Sequence, residues 1–100
     1  MENCPIKIDV EVVNFIAQKN LGYQFFQILS NLIRIFPNLN SIEIRTDQFE
    51  DAEEEHIVTN IVSSSDQKTL LNEYHDFVSW EVENIGPEDL GYFILTMDRI

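Results

Sequence analysis

The chain has 100 residues, a single cysteine and a formal net charge of −12, from six Lys and Arg against eighteen Asp and Glu. That length is typical of one domain, and a hydrophobic content of 44% supports a packed core, which excludes general disorder. Cys4 alone excludes an intramolecular disulfide, the negative charge disfavours direct nucleic-acid binding, and the absence of a signal peptide or long apolar segment predicts a cytoplasmic protein without membrane contact.

The first predicted element is a strand at residues 6–12, IKIDVEV. Aliphatic residues alternate with charged ones there, which is the period of a half-buried strand. After Val12 the alternation slips by one position. A bulge or a covered second face would explain the slip, and a short helix from Val12 onward is the alternative.

The next element is predicted to be an amphipathic helix with Asn20 as its N-terminal cap. Apolar residues follow at spacings of three and four, which places them on one side of a helix. These residues are Leu21, Phe25, Ile28, Leu29, Leu32, Ile33 and Phe36. Pro37 disfavours a helical Phe36 and ends the helix.

Two strands are predicted next, SIEIRT at residues 41–46 and HIVTNIV at residues 56–62. Both are rich in β-branched residues, and the first alternates aliphatic with charged side chains. The segment between them, DQFEDAEEE at residues 47–55, carries six carboxylates in nine positions. It is therefore predicted to connect a β-hairpin.

A second helix is predicted to begin at Ser65 and Asp66, since a carboxylate is favourable at the positive end of a helix. Its apolar side is predicted to comprise Leu70, Leu71, Tyr74, Phe77, Val78, Val82 and Ile85. Gly86 and Pro87 mark the end of this helix. The final strand is GYFILTM at residues 91–97, which is apolar on both faces.

This order of elements, βαββαβ, predicts an α+β domain with a ferredoxin-like fold, in which two helices cover one face of an antiparallel sheet. In that fold the last strand lies at an edge, and one of its apolar rows would be exposed to solvent. Self-association through this strand, at Tyr92, Phe93, Ile94 and Leu95, would cover that row and produce a homodimer.

The acidic segment has three interpretations: a solvated turn, a cation site, or a surface that binds a basic partner. It lacks the residue order and the glycine of an EF-hand loop, so no metal site is predicted. Further acids recur on the outer side of the second helix, beside a tryptophan that could anchor an interface. The predicted partner-binding residues are Asp47, Glu50, Asp51, Glu53, Glu54, Glu55, Glu73, Asp76, Trp80 and Glu83.

No catalytic residue or cofactor is predicted. Tyr74, His75 and Asp76 are consecutive, and neighbouring helical side chains point in directions about 100° apart, so they do not converge on one substrate atom. The chain has three glycines, none in a glycine-rich loop that would bind phosphate.

The favoured functional hypothesis is a small acidic protein that occludes a basic partner, as immunity proteins or phage inhibitors do with nucleases and other nucleic-acid enzymes. A bacterial or phage source is also suggested by thirteen Ile and nine Asn against two Ala. One alternative is a sensing or assembly module that dimerises through its sheet and binds an effector at the turn QKNLGYQ, residues 18–24. Another is an enzyme in which His56 or His75 acts as the base.

Overall fold

Four strands and four helices make up the part of the chain that the computed structural model describes, residues 4–47 and 55–100. In chain order they are β1 (Ile6–Ile8), α1 (Val10–Lys19), α2 (Gly22–Ile35), β2 (Leu39–Asp47), β3 (His56–Ser63), α3 (Gln67–Asn84), α4 (Pro87–Leu90) and β4 (Phe93–Arg99). The strands form one sheet in the order β1-β2-β3-β4. The central pair β2 and β3 is antiparallel, and each outer strand is parallel to its neighbour.

The predicted α+β class is confirmed, but the antiparallel ferredoxin-like sheet is not what forms. In a ferredoxin-like fold each βαβ unit is split, because another strand lies between its two parallel strands. Here β1 lies directly beside β2, and β4 lies directly beside β3. The order of elements, βααββααβ, also differs from the predicted βαββαβ, because the chain has four helices. Such an order does not determine which strands pair, so the predicted positions of the strands did not fix the topology.

The first strand is shorter than predicted, because the helical alternative begins even before Val12. The strand β1 ends at Ile8, and Asp9 is the extended residue that precedes α1. A helix starting at Val10 turns Val12 and Phe15 together into the core, whereas a continued strand would place them on opposite faces. Burial of both side chains favours the helix.

The prediction for Asn20 was wrong: this residue ends α1 and does not begin the next helix. Its backbone is left-handed, with φ 56° and ψ 46°, a conformation that asparagine tolerates better than most residues. The chain turns there, and α2 begins at Gly22. Its predicted end is confirmed, since α2 ends at Ile35, before Phe36 and Pro37.

The helices pack on one face of the sheet, as predicted. The side chains that alternate toward that face on the two central strands are buried in a core shared with α1, α2 and α3. These strand residues are Leu39, Ile42, Ile44, Ile57 and Ile61. The opposite face is mostly polar, and on it Thr96 Oγ1 donates a hydrogen bond to Asn60 Oδ1 at 2.6 Å.

The predicted start of α3 is confirmed, because Asp66 caps the helix by accepting a hydrogen bond from the Thr69 backbone N–H at 2.8 Å. Its predicted apolar side is only partly in the core. Of those seven residues, Leu70, Phe77 and Ile85 are buried, whereas Leu71, Tyr74 and Val82 are exposed. Phe77 packs against Phe36 with ring centroids 6.0 Å apart, and this contact helps to set the rotation of the helix.

Candidate partner-binding site

Carboxylates from three segments lie at the hairpin end of the sheet, with Glu11 beside Thr46 on the helix face and Asp47 beside Arg45 on the opposite face. The backbone N–H of Asp9 donates to the Ile44 carbonyl oxygen at 3.1 Å, which places the start of α1 beside β2. Thr46 Oγ1 then donates to Glu11 Oε2 at 3.2 Å. We call the group formed by Asp9, Glu11, Asp47 and Glu55 the acidic end.

An open polar cleft lies beside the acidic end, with a volume of about 270 Å³. It is lined by Glu11, Asn14 and Gln18 from one side of α1, by Glu55, and by the buried ring of Phe15. Carboxylates and amides offer acceptors for an incoming cation, and the amides also offer donors. The cleft therefore suits a basic, hydrogen-bonding side chain better than an apolar one.

The acidic end is only partly neutralised by the nearby cation Arg45. Its Nη1 lies 3.0 Å from Asp47 Oδ2, in an ion pair in which both side chains are about 40% exposed. Such exposed pairs are worth little, about 0 to 1 kcal/mol, so a partner's arginine or lysine can compete for the carboxylate. The connection that follows Asp47 adds four more carboxylates: Glu50, Asp51, Glu53 and Glu54. Those four predicted binding residues lie outside the described part of the chain.

The predicted binding residues on α3 fall on two different sides of the helix. Asp76 and Glu83 are exposed, as predicted, whereas Glu73 and Trp80 are half-buried on the side toward the core. Burial raises the pKa of Glu73, and a hydrogen bond from Ser65 partly offsets that rise. Trp80 stacks on Phe77 with ring centroids 6.0 Å apart and an interplanar angle of 29°. Its role as a binding anchor stays a prediction.

The C-terminal part of α3 returns toward the hairpin end of the sheet. Gln24 Nε2 donates to Asp89 Oδ2 at 2.9 Å, which joins α4 to the start of α2, and Ile57 N donates to the Tyr92 carbonyl oxygen at 2.7 Å. Asp89 therefore lies at the end of the molecule from which the acidic connection leaves the sheet. Asp89 adds a further carboxylate at this end of the molecule.

The residues predicted for self-association, Tyr92 to Leu95, are all half-buried. Phe93 and Leu95 face the helices, and Tyr92 packs edge-on against Phe15 with ring centroids 5.7 Å apart. On the helix-free face Ile94 lies beside Val58, and the polar residues Thr96 and Asp98 follow it along the strand. The long exposed apolar row that was expected on this strand is therefore absent.

Exposed apolar side chains lie on the helices as well, among them Phe26 of α2 and, on α3, Leu71 at 53% and Val82 at 66% exposure. A signal was present in the sequence: the apolar residues of α3 span almost half of the helix circumference, which is wider than one core-facing stripe needs.

The interior offers little room for a small molecule. A cavity of about 10 Å³ lies between α2, α3 and β4, lined by residues that include Leu32, Thr59, Phe77 and Leu95. This volume holds at most one water molecule. Glu81 also lines it, and burial raises the pKa of its carboxyl to about 7.

The predicted effector turn at residues 18–24 is the junction of α1 and α2. Gly22 belongs to the first turn of α2, and a Cβ added there would lie 3.9 Å from Ile16 Cγ2, an ordinary contact. Its backbone therefore faces a packed side chain, and it does not line an open binding loop. This arrangement does not support an effector site at Gly22.

The titratable residues considered for chemistry are dispersed. His56 begins β3 and is half-buried, whereas His75 is exposed on α3 and Cys4 precedes β1. Within the described residues no three His, Cys, Asp or Glu side chains are grouped closely enough to hold a metal ion. None of the helices in residues 4–47 and 55–100 is long and apolar enough to cross a bilayer.

Comparison with known proteins adds no family to this description. The chain matches no protein-family model, and neither curated proteins nor solved structures provide a match. The functional argument therefore depends on the geometry and charge of the molecule itself.

Proposed function

We propose that this protein is a small acidic binding module that docks its acidic end onto a basic surface of another protein. The position of Asp9, Glu11, Asp47 and Glu55, from separate segments of the chain, at one end of the sheet supports this proposal. The hydrogen bond from Thr46 to Glu11 holds the helix against the hairpin at this point. A carboxylate held in this way loses less side-chain entropy on binding than the same charge on a free chain.

The net charge supports the same proposal. Eighteen acids against six bases create a field that attracts basic proteins and repels phosphate, and such steering raises association rates to about 10⁸–10⁹ M⁻¹s⁻¹ at low salt. The four carboxylates of residues 48–54 join the chain at this end. A merely solvated hairpin end, the simpler explanation, would have no specific partner.

An inhibitor or immunity-type role is the form of this function that fits best. Enzymes that act on nucleic acids hold phosphates with Lys and Arg, and a cluster of carboxylates competes for the same side chains. Occlusion of this kind needs no catalytic group on the inhibitor.

Affinity capture with matched charge variants tests the proposal. The test variant carries Glu11→Gln and Glu55→Gln, and the control carries Glu43→Gln and Asp98→Asn, so both lose two charges from exposed positions. We expect the wild type and the control to retain a basic protein from a lysate of the source organism, and the test variant to lose it. The association rate of that protein should fall steeply with salt.

Two results would contradict the proposal. Equal loss of binding in both variants would mean that total charge matters and the acidic end does not. A captured nuclease or polymerase that keeps full activity in a saturated complex would exclude the inhibitor role. A second candidate role, assembly through the sheet, is favoured by a different surface, formed by α3 and β4.

A further inference from the structure

The outer side of α3 carries an apolar stripe that nothing in the described part of the chain covers. Leu71, Tyr74 and Val82 are 53%, 38% and 66% exposed, and Val78 between them is half-buried. Their spacings of three and four residues place them on one side of the helix. That side lies about a quarter turn from the one occupied by Leu70, Phe77 and Glu81.

The stripe points away from α2 and toward the outer edge of the sheet. On the other side of α3, Glu73 accepts a hydrogen bond from Ser65, whose hydroxyl also accepts one from Asn38 Nδ2 at 3.0 Å. Asn38 follows α2, so the Glu73 side faces the interior of the helix layer.

Below the stripe, β4 is the last strand of the sheet. It pairs with β3 along one edge, and its other edge has no neighbour in the described sheet. The middle of this strand, from Phe93 to Met97, has no charge or proline that would discourage pairing with another chain. An unpaired strand edge therefore runs alongside an unpaired apolar helix face.

The midpoints of these two surfaces coincide. At one end Arg99 Nε donates to the Ser65 carbonyl oxygen at 3.3 Å, and toward the other Glu81 and Phe93 line the same cavity. The middle of the stripe, near Asp76, therefore lies over Leu95, the middle of the uncharged stretch from Phe93 to Met97. One twofold axis perpendicular to the sheet can pass through both points.

Around such an axis the stripe is self-complementary in shape. Leu71 meets Val82 of the second copy, because the two lie at equal distances from the midpoint. Leu71 and Lys68 line an open hollow of about 390 Å³, into which the exposed Val82 of the second copy fits.

The charges that flank the stripe are also complementary. Lys68 and Glu83 are exposed on the same flank, at opposite ends of α3. In an antiparallel pair of helices the same flanks face each other, so each lysine meets the glutamate of the second copy. These contacts favour a second copy of this chain as the occupant of the surface.

We propose that two copies of this chain associate around this twofold axis, with α3 packed antiparallel on α3 and β4 paired antiparallel with β4. The two sheets then form one continuous sheet of eight strands. The acidic ends lie at opposite ends of the dimer and stay exposed, so this proposal does not depend on the partner-binding function. Because each copy carries a charge of −12, the dimer is expected to tighten as salt rises, whereas binding to a basic protein should weaken.

Sedimentation velocity on the full chain, over a range of protein concentrations and from about 0.05 to about 1 M NaCl, tests the proposal. We expect a reversible dimer for the wild type and a monomer for Val82→Glu, which places two carboxylates in the interface. Phe26→Glu is the matched control, since Phe26 is 65% exposed on α2 and lies outside the interface. Circular dichroism establishes that both variants are folded.

Charge reversal tests the register. Lys68→Glu and Glu83→Lys should each raise the dissociation constant about tenfold, because each change creates two repulsive pairs per dimer, and the double variant should return it to near the wild-type value. A wild type that stays monomeric throughout would overturn the proposal. A dimer that survives Val82→Glu, or a double variant without recovery, would overturn this interface. Loss of hydrogen-exchange protection in β4 of Val82→Glu, relative to wild type, would support the strand pairing, and unchanged protection would contradict it.

Discussion

The helices α2 and α3 lie on the same face of the sheet but use their apolar residues differently. In α2 the inward side is entirely aliphatic or aromatic where it meets the core, at Ile28 and Leu32. In α3 the inward side includes Glu73 and Glu81, whereas aliphatic side chains such as Val82 face solvent. Disagreement between the hydrophobic pattern of a helix and its burial is expected at functional sites. The dimer proposed above would account for the disagreement in α3.

Truncation of one core residue should produce the largest effect and should show which side of α3 is inward. Phe77→Ala should cost about 3–5 kcal/mol, because Phe77 is fully buried between Phe36 and Trp80. Leu32→Ala in α2 should cost a similar amount, about 2–5 kcal/mol. Leu71→Ala, measured by urea unfolding at low protein concentration, should cost less than about 1 kcal/mol. An equal cost for Leu71→Ala would mean that α3 is rotated from the orientation described.

Removal of the charge on Glu81 should stabilise the protein at alkaline pH. Burial raises the pKa of this carboxyl from 4.5 to about 7, so the folded state binds the proton more tightly than the unfolded state. The free energy of unfolding therefore falls as pH rises between those two values, and the loss persists above them. Glu81→Gln should gain about 1–2 kcal/mol at pH 8, after allowance for partial solvent exposure, and almost nothing at pH 4.

The matched control for this prediction is Glu83→Gln, on the exposed side of the same helix. The difference in the free energy of unfolding between Glu83→Gln and the wild type should be the same at both pH values in dilute solution. Urea unfolding of the three proteins across that range measures both effects. A gain from Glu81→Gln that is independent of pH would show that burial does not perturb this carboxyl.

Removal of the N-terminal cap should produce a smaller loss, and only in α3. Asp66→Ala removes the acceptor for the Thr69 backbone N–H, whereas α2 starts at Leu21 without a capping side chain. The hydrogen bonds from Thr69 lower the pKa of Asp66, so its stabilising effect should disappear as pH falls below the ordinary value of 3.8. Thermal melts of Asp66→Ala and of Asp76→Ala, an exposed control within α3, at neutral and acidic pH check this expectation.

The smallest effect is expected from a polar substitution on the outer stripe. Val82→Ser should change the stability of the monomer by less than about 0.5 kcal/mol, because Val82 is 66% exposed. At high protein concentration its melting temperature should fall below that of the wild type, since only the wild type gains stability from association. Melts over a series of protein concentrations separate the stability of the monomer from the stability gained by association. A large loss in dilute solution would place Val82 in the core of the monomer.

Much of the secondary structure followed from local signals in the sequence. Pro37 and Asp66 act within one helical turn, and the strands on both sides of the acidic segment show β-branched character over six or seven residues. The concentration of charge at residues 47–55 is also a local property, and the hairpin that it connects was predicted correctly. Signals confined to one helical turn or one strand act before residues distant in the chain come into contact.

The tertiary structure decided the strand order, the conformation of Asn20 and the side of α3 that is buried. Strand order depends on pairing between residues far apart in the chain, which no local period encodes. Asn20 suits either end of a helix, and burial of Val12 and Phe15 selected the end of α1. The apolar arc of α3 permits several rotations, and packing against Phe36 and the sheet favours the one that exposes Val82. A local pattern limits the choices, and the close packing of distant side chains selects among them.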